Sequence, residues 1–243
     1  KFGQEDFYIT PNYGRAFDDI SIYSCQVPSG LTASNITSDS VGLTWNSETS
    51  ASGNSYIVQW GNSGFNMGNG NTTYTASVDT GLSGLSSATE YDVYVAEICG
   101  SGDTSAYHGP VTFCTDGALK YTQDFSNGNY PVCWSGSGSV QSSCGTRSNV
   151  LEVASGNTVT TNEVDAGNVE SAKISYYWGG DVCANSQASG ELKIKWYNGS
   201  TWETEKTYTT GQTSFSKDSF IISDKNNLPP NLEIRAIATG SGT

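Results

Sequence analysis

Histidine occurs once in this chain, as His108, and methionine once, as Met67. A hydrolytic triad needs a base, and an imidazole metal centre needs a second ligand; one histidine in a Gly-Pro-flanked loop supplies neither. Basic residues are scarce too. Eleven Lys and Arg stand against 24 Asp and Glu, a formal net charge of −13. A nucleic-acid binder needs a basic stripe, so that class is excluded, and anionic membrane surfaces are disfavoured for the same reason. Long periodic runs of Ala, Leu, Glu and Lys are missing, which argues against helices. No apolar run approaches the roughly 20 residues that a membrane-spanning helix requires. There is no Gly-x-Ser-x-Gly elbow, and the Gly-rich stretch Gly64–Gly70 lacks the Lys-Ser/Thr of a phosphate loop, so it reads as a turn. No leader segment opens the sequence, which is the expectation for a mature or excised stretch.

What is present suits short strands. The 243 residues suffice for two domains, charged residues are only 14%, and 28 Gly, 14 Tyr and 6 Trp accompany abundant Ser, Thr and Asn. Alternation of period two marks strands at 41–45, 56–60, 91–98 and 110–114, separated by Gly/Ser/Asn turn clusters. Six cysteines (Cys25, Cys99, Cys114, Cys133, Cys144 and Cys183) show no close CxxC spacing. An even number at wide spacing points to disulfides in an oxidising compartment. The acidity fits either plain solubility or divalent-cation binding.

The segment Pro28–Thr115 resembles a fibronectin type III domain. Trp45 stands where that family has its strand-B core tryptophan. Leu85, Thr89, Tyr91, Val93 and Val95 match its Leu-x-x-x-Thr-x-Tyr-x-Val-x-Val signature, with Ser87-Ala88 where the usual proline precedes the threonine. The resemblance implies a corner bond from the Tyr91 hydroxyl to nearby backbone.

Residues 117–243 resemble the jelly-roll modules of the MAM and cleaved-adhesin type, common in proteins secreted by Bacteroidota-like bacteria. The matching pieces are Asp124-Phe125, Cys133-Trp134, the hairpin Lys193–Trp202 and Leu232–Ala236. Further strands are expected at 121–125, 172–178, 192–197, 215–222 and 232–237, with Asn198-Gly199 as a type I′ turn. Residues 16–22 resemble the closing strand of such a module, with its Asp-Asp pair between apolar residues. The expected organisation is therefore all-β: 1–24 a closing strand, 25–116 a type III sandwich, and 117–243 a jelly roll lacking its last strand. The closing strand could belong to a preceding module, fold back on this chain, or complete a neighbouring copy by strand addition. On one reading the 243 residues are a single period of a longer array.

Six cysteines allow fifteen pairings. In a type III sandwich the start of strand A and the end of strand F share a pole, so the resemblance lets Cys25 pair with Cys99. Cys114 would then pin the next module through Cys133, leaving Cys144 with Cys183; Cys99–Cys114 is the rival arrangement.

Nothing in the spacing of Asp18, Asp19, Asp124, Asp165, Asp181, Glu191 and Glu203 marks a catalytic pair of carboxylates, and the chain reads as non-enzymatic. The resemblance implies a structural calcium between first and last jelly-roll strands, held by Asp124 and Asn127 on one side and Asp18 or Asp19 on the other; a solvated acidic edge is the plainer alternative. Trp178, Trp196, Tyr197 and Trp202 are candidate carbohydrate-stacking residues, or else core. The expected function is an extracellular structural or adhesive module of a secreted surface protein, with neighbouring copies and possible surface polysaccharide as partners. The alternative is a carbohydrate-binding accessory region of a secreted hydrolase or peptidase.

Overall fold

A computed structural model describes residues 25–48, 55–100, 102–179, 189–209, 214–224 and 227–241. The proposed closing strand with Asp18 and Asp19, and also Asp181 and Cys183, lies outside the described residues. Those residues contain strands and no helix.

The first sandwich follows from alternation. β1 (Ser29–Ser34), β2 (Ser40–Asn46) and β5 (Asp79–Ser83) form one antiparallel sheet in the order β1-β2-β5. β3 (Ser55–Asn62), β4 (Asn71–Thr75), β6 (Glu90–Gly100), β7 (Asp103–Thr104) and β8 (His108–Cys114) form the other, ordered β4-β3-β6-β7 with β8 also on β6. Val41, Leu43 and Trp45 of β2 point inward, as do Val58 of β3 and Tyr91, Val93 and Val95 of β6. Twelve buried apolar residues close this core, with Trp45 edge-on to Tyr56 at 5.4 Å. The corner bond is present: the Ser86 N–H donates to the Tyr91 hydroxyl at 2.9 Å. His108 is the first residue of β8 and pairs with Val95, not a residue of the preceding loop.

The second sandwich is built from shorter pieces. β9 (Ser135–Gly136), β12 (Thr158–Thr160), β14 (Ser189–Tyr197), β15 (Trp202–Thr209) and β17 (Ile234–Ser241) make a five-stranded sheet ordered β15-β14-β17-β12-β9. β13 (Ser171–Trp178) and β16 (Ser216–Ser223) pair across from it, and β10 (Ser139–Gln141) pairs with β11 (Val150–Glu152). Ile174, Phe220 and Ile222 face Leu192, Ile194 and Ile234 across the core. Six residues here are buried and ten more apolar ones are only partly covered. Gly136 sits where only glycine fits: its φ is +105°, and a Cβ would come within 2.0 Å of the Thr158 carbonyl oxygen.

Two expectations need correction. Residues 121–125 are not a strand. The Asp124 carboxylate accepts the Ser126 N–H at 2.9 Å and Phe125 sits at φ +55°, so a side-chain-closed turn replaces extended backbone. The β14–β15 hairpin closes through four residues instead of a type I′ pair. Gly199 has φ +90° while Asn198 keeps an ordinary φ. The Asn198 side-chain oxygen accepts the N–H groups of Ser200 and Thr201 at 2.9 and 2.7 Å, which organises the longer loop. Strands β1, β4, β5, β7 and β9–β12 are not among those that alternation marks in the sequence.

Replacing Tyr91 by Phe removes the corner bond and leaves the Ser86 N–H without its acceptor. Urea unfolding should show a loss of about 1 kcal/mol with an unchanged m-value; an unchanged midpoint would show that the corner contributes nothing.

Candidate functional site at the module joint

The joint starts where β8 ends. Thr115 is fully buried, so every polar group it carries needs a partner. Its hydroxyl donates to the Ser86 carbonyl at 2.6 Å and accepts the Thr89 N–H at 3.0 Å. The Asp116 N–H reaches the Thr37 carbonyl at 3.1 Å, and the Asp116 carbonyl accepts the Ala88 N–H at 3.0 Å. One residue on, the chain changes modules. The Gly117 N–H donates to the Glu163 carbonyl at 2.7 Å, and the Asp165 N–H returns to the Gly117 carbonyl at 2.9 Å. A Cβ on Gly117 would lie 3.1 Å from Val164 Cγ2 and 3.2 Å from Tyr121 Cδ2, so a small residue suits this crossing.

A covalent tie reinforces it. Cys114, the last residue of β8, is bonded to Cys133 of the second module, with Cα atoms 5.8 Å apart. Cys25 and Cys99 are bonded at the opposite pole of the first sandwich, Cα atoms 5.6 Å apart. Cys144 is also disulfide-bonded, while Cys183 lies outside the described residues. Such bridges belong to an oxidising environment. No helix of the described residues is long and apolar enough to cross a membrane.

Acidic groups gather at the crossing. Burial, and then the nearby charges of Glu163 and Asp165, push Asp116 up to about 6. Burial followed by the charge of Glu163 also raises Glu233, against the opposing pull of Arg235. Beside the crossing lies a cleft of about 690 Å³, walled by residues 118–123, 127 and 129–134 with Ser87 and Ala88 of the first sandwich at its side.

The residues singled out in the sequence fall elsewhere or are engaged. Asp124 is exposed, and the N–H of Ser126 holds its carboxylate below the usual carboxylate range. Asn127 directs its side-chain oxygen to the Asn129 N–H at 3.0 Å. Among the described residues no cluster of three His, Cys, Asp or Glu is placed to hold a metal ion. Trp196 packs on the second core. The Trp178 ring stacks on Tyr208 with centroids 3.9 Å apart, and the Arg235 guanidinium lies 3.6 Å over the Trp202 ring. Tyr197 is tilted against Trp202 at 5.3 Å. The four aromatics therefore occupy three separate environments. Behind Trp178, the Tyr176 and Tyr208 hydroxyls meet at 2.5 Å, and Tyr208 donates on to Asp218 at 2.5 Å. Burial first, then those hydrogen bonds, raise Tyr208, while the Tyr208 hydroxyl lowers Asp218.

Residues 26–113 match the family model of the fibronectin type III domain. The chain carries such a domain over that segment. The family's usual role is that of a structural module without catalysis. Similar solved structures include the FN5 domain of Drosophila Lar, at 16% identity and TM-score 0.31, covering 40% of this chain and 99% of that one. An FN3 domain of human collagen XX is similar at 25% identity and TM-score 0.29, covering 40% of this chain and 100% of that one. A structure described as a myokine is similar at 20% identity and TM-score 0.33, covering 38% and 99%. No curated protein matches the chain.

The raised Asp116 gives the joint a pH dependence. The folded state favours the protonated acid, so its stabilisation is complete below the ordinary value of 3.8 and is lost as pH rises through about 6. Thermal midpoints should fall across that window, and Asp116→Asn should flatten this part of the profile. A variant whose profile matches the parent's would rule the effect out.

Proposed function

We propose that this chain is a non-catalytic structural or adhesive segment of an extracellular multi-domain protein, in which a type III sandwich is held at a fixed angle to a jelly-roll module. The observation that carries the reading is the joint. Backbone hydrogen bonds on both sides of Gly117 and the Cys114–Cys133 bridge leave no free linker between the two sandwiches. Rigid spacing is of use to a surface protein that must present or stack modules, and of little use to independent binding domains on a tether.

The second sandwich supports a further part of this reading. Among the described residues β13 and β16 pair only with each other, yet they face a sheet of five strands. Much of the apolar surface between them, including Leu192, Trp196 and Ile234, is only partly covered. A strand added beside the β13–β16 pair would cover it and satisfy edge backbone groups. Residues 16–22, from this chain or from a copy, have the composition for that strand. With it would come Asp18 and Asp19, and a structural calcium shared with Asp124 and Asn127. Membership of the MAM and cleaved-adhesin type, secretion by a Bacteroidota-like bacterium, and assembly of copies into a surface fibre belong to the same proposal.

The native mass separates the assembly from a lone module: a species near 25.7 kDa would leave the array without support. For rigidity, small-angle scattering of the full chain should fit one fixed arrangement of the two sandwiches, and Cys114→Ser with Cys133→Ser should broaden it. Equal scattering from parent and variant would remove the bridge from the argument. Stripping divalent cations with excess EDTA should lower the thermal midpoint of the native assembly, and an unmoved midpoint would eliminate the calcium.

A further inference from the structure

The cleft at the joint is a built concavity, and its lining fits one class of ligand. At about 690 Å³ it falls inside the range of roughly 300–1,000 Å³ typical of small-ligand sites. Its two walls are fixed. The disulfide ties Cys133 to the first sandwich, and the Trp134 indole N–H donates to the Tyr121 hydroxyl at 2.9 Å. Tyr130 is oriented by the bond from its hydroxyl to the Ser135 carbonyl at 3.1 Å. Ala88 and Lys120 hold φ of +49° and +71° at its rim, a left-handed conformation that side-chain-bearing residues adopt only at a cost.

The lining combines apolar and amide chemistry. Val132 and Leu119 are 68% and 43% exposed, so apolar surface lines the concavity without protein cover. Ring surface comes from Tyr121, Tyr130 and Trp134, and amides come from Gln123, Asn127 and Asn129. Asn127 commits its oxygen to the Asn129 N–H at 3.0 Å. Among the described residues Lys120 is the one charged residue of the lining, and none of them places a carboxylate there.

We propose that this cleft binds a neutral oligosaccharide. Pyranose rings offer a C–H face that packs on aromatic surface, with hydroxyls around the rim that both donate and accept. Amide side chains do both as well. An anionic polymer would meet a chain of net charge −13 and a single lysine. A strand-forming peptide would need a sheet edge, and neither 118–123 nor the stretch 127–134 is a strand. The inference goes beyond a structural role and does not depend on strand completion or on calcium.

The test uses the full chain in calorimetric titrations with the neutral hexasaccharides of β-linked glucose, xylose and mannose, and with a proline-rich decapeptide. Saturable binding of at least one sugar is expected, weakened about tenfold or more by Tyr130→Ala and by the more conservative Gln123→Ala. Trp202→Ala, whose ring lies under Arg235 on the second sandwich, should leave it unchanged. Thermal midpoints of the variants report their folding, and Gln123→Ala keeps the test valid if Tyr130→Ala is unstable. Absence of binding to all three sugars overturns the proposal, as does sugar binding indifferent to both cleft substitutions. Binding of the decapeptide alone, lost in those variants, replaces the saccharide with a peptide and also overturns it. Scattering reads the structural role separately, so the two proposals fail independently.

Discussion

Buried backbone must be hydrogen-bonded, and the crossing between the two sandwiches runs through buried backbone. Thr115 and Gly117 are both covered, so their peptide groups have to find acceptors and donors in the protein. They find them on opposite sides. Ser86 and Thr89 supply the partners of Thr115 in the first module, and Glu163 and Asp165 supply those of Gly117 in the second. An inter-module angle that broke any of these bonds would leave an unpaired group at a cost of about 1–3 kcal/mol each. The disulfide at Cys114 adds a covalent limit one residue earlier. Geometry at the joint, and with it the cleft, follows from this one requirement.

The two cores differ in how completely they close. In the first, twelve apolar residues are buried and only four lie partly covered at its margin. The inward positions of β2, β3 and β6 join in one buried cluster, as alternation of period two on two facing sheets demands. In the second, the partly covered residues outnumber the buried ones. Among the described residues two strands stand across from five, and Leu192, Trp196 and Ile234 are only partly covered. The same openness lets polar groups into the interior: Tyr176, Tyr208 and Asp218 form a hydrogen-bonded chain on the edge of the core, with Lys206 3.6 Å from Asp218. Burial there requires partners for each hydroxyl, and the chain provides them.

Aromatic content is high for a chain with so little charge, and the structure assigns most of it to packing. Trp45 and Tyr56 meet edge-on in the first core, Trp178 stacks on Tyr208, and Trp202 lies under Arg235. The rings at the joint differ because two loops, not two sheets, hold them. Loops held by a disulfide and an indole–phenol bond present ring surface to a concavity in a way that a packed sheet face does not.

Local pattern determined the all-β class, strands β2, β3, β6 and β8 of the type III sandwich, the inward set of β2 and β6, and the corner at Tyr91. Each rests on alternation or a short motif whose partners lie on neighbouring strands, so the information is local. What only the tertiary structure decided rests on contacts distant in sequence. The turn at 121–125 was hidden because one Asp124–Ser126 hydrogen bond outweighs an apolar run. The short strands β9–β12 have too few residues to show a period and exist because longer strands pair with them. The fate of Trp178, Trp196 and Trp202 depended on Tyr208, the second core and Arg235, whose positions no spacing reveals. The joint cleft was equally invisible, since its walls come from loops without periodicity. Composition and alternation thus specify which residues turn inward, while the closing of chain segments on one another specifies what the remaining surface can hold.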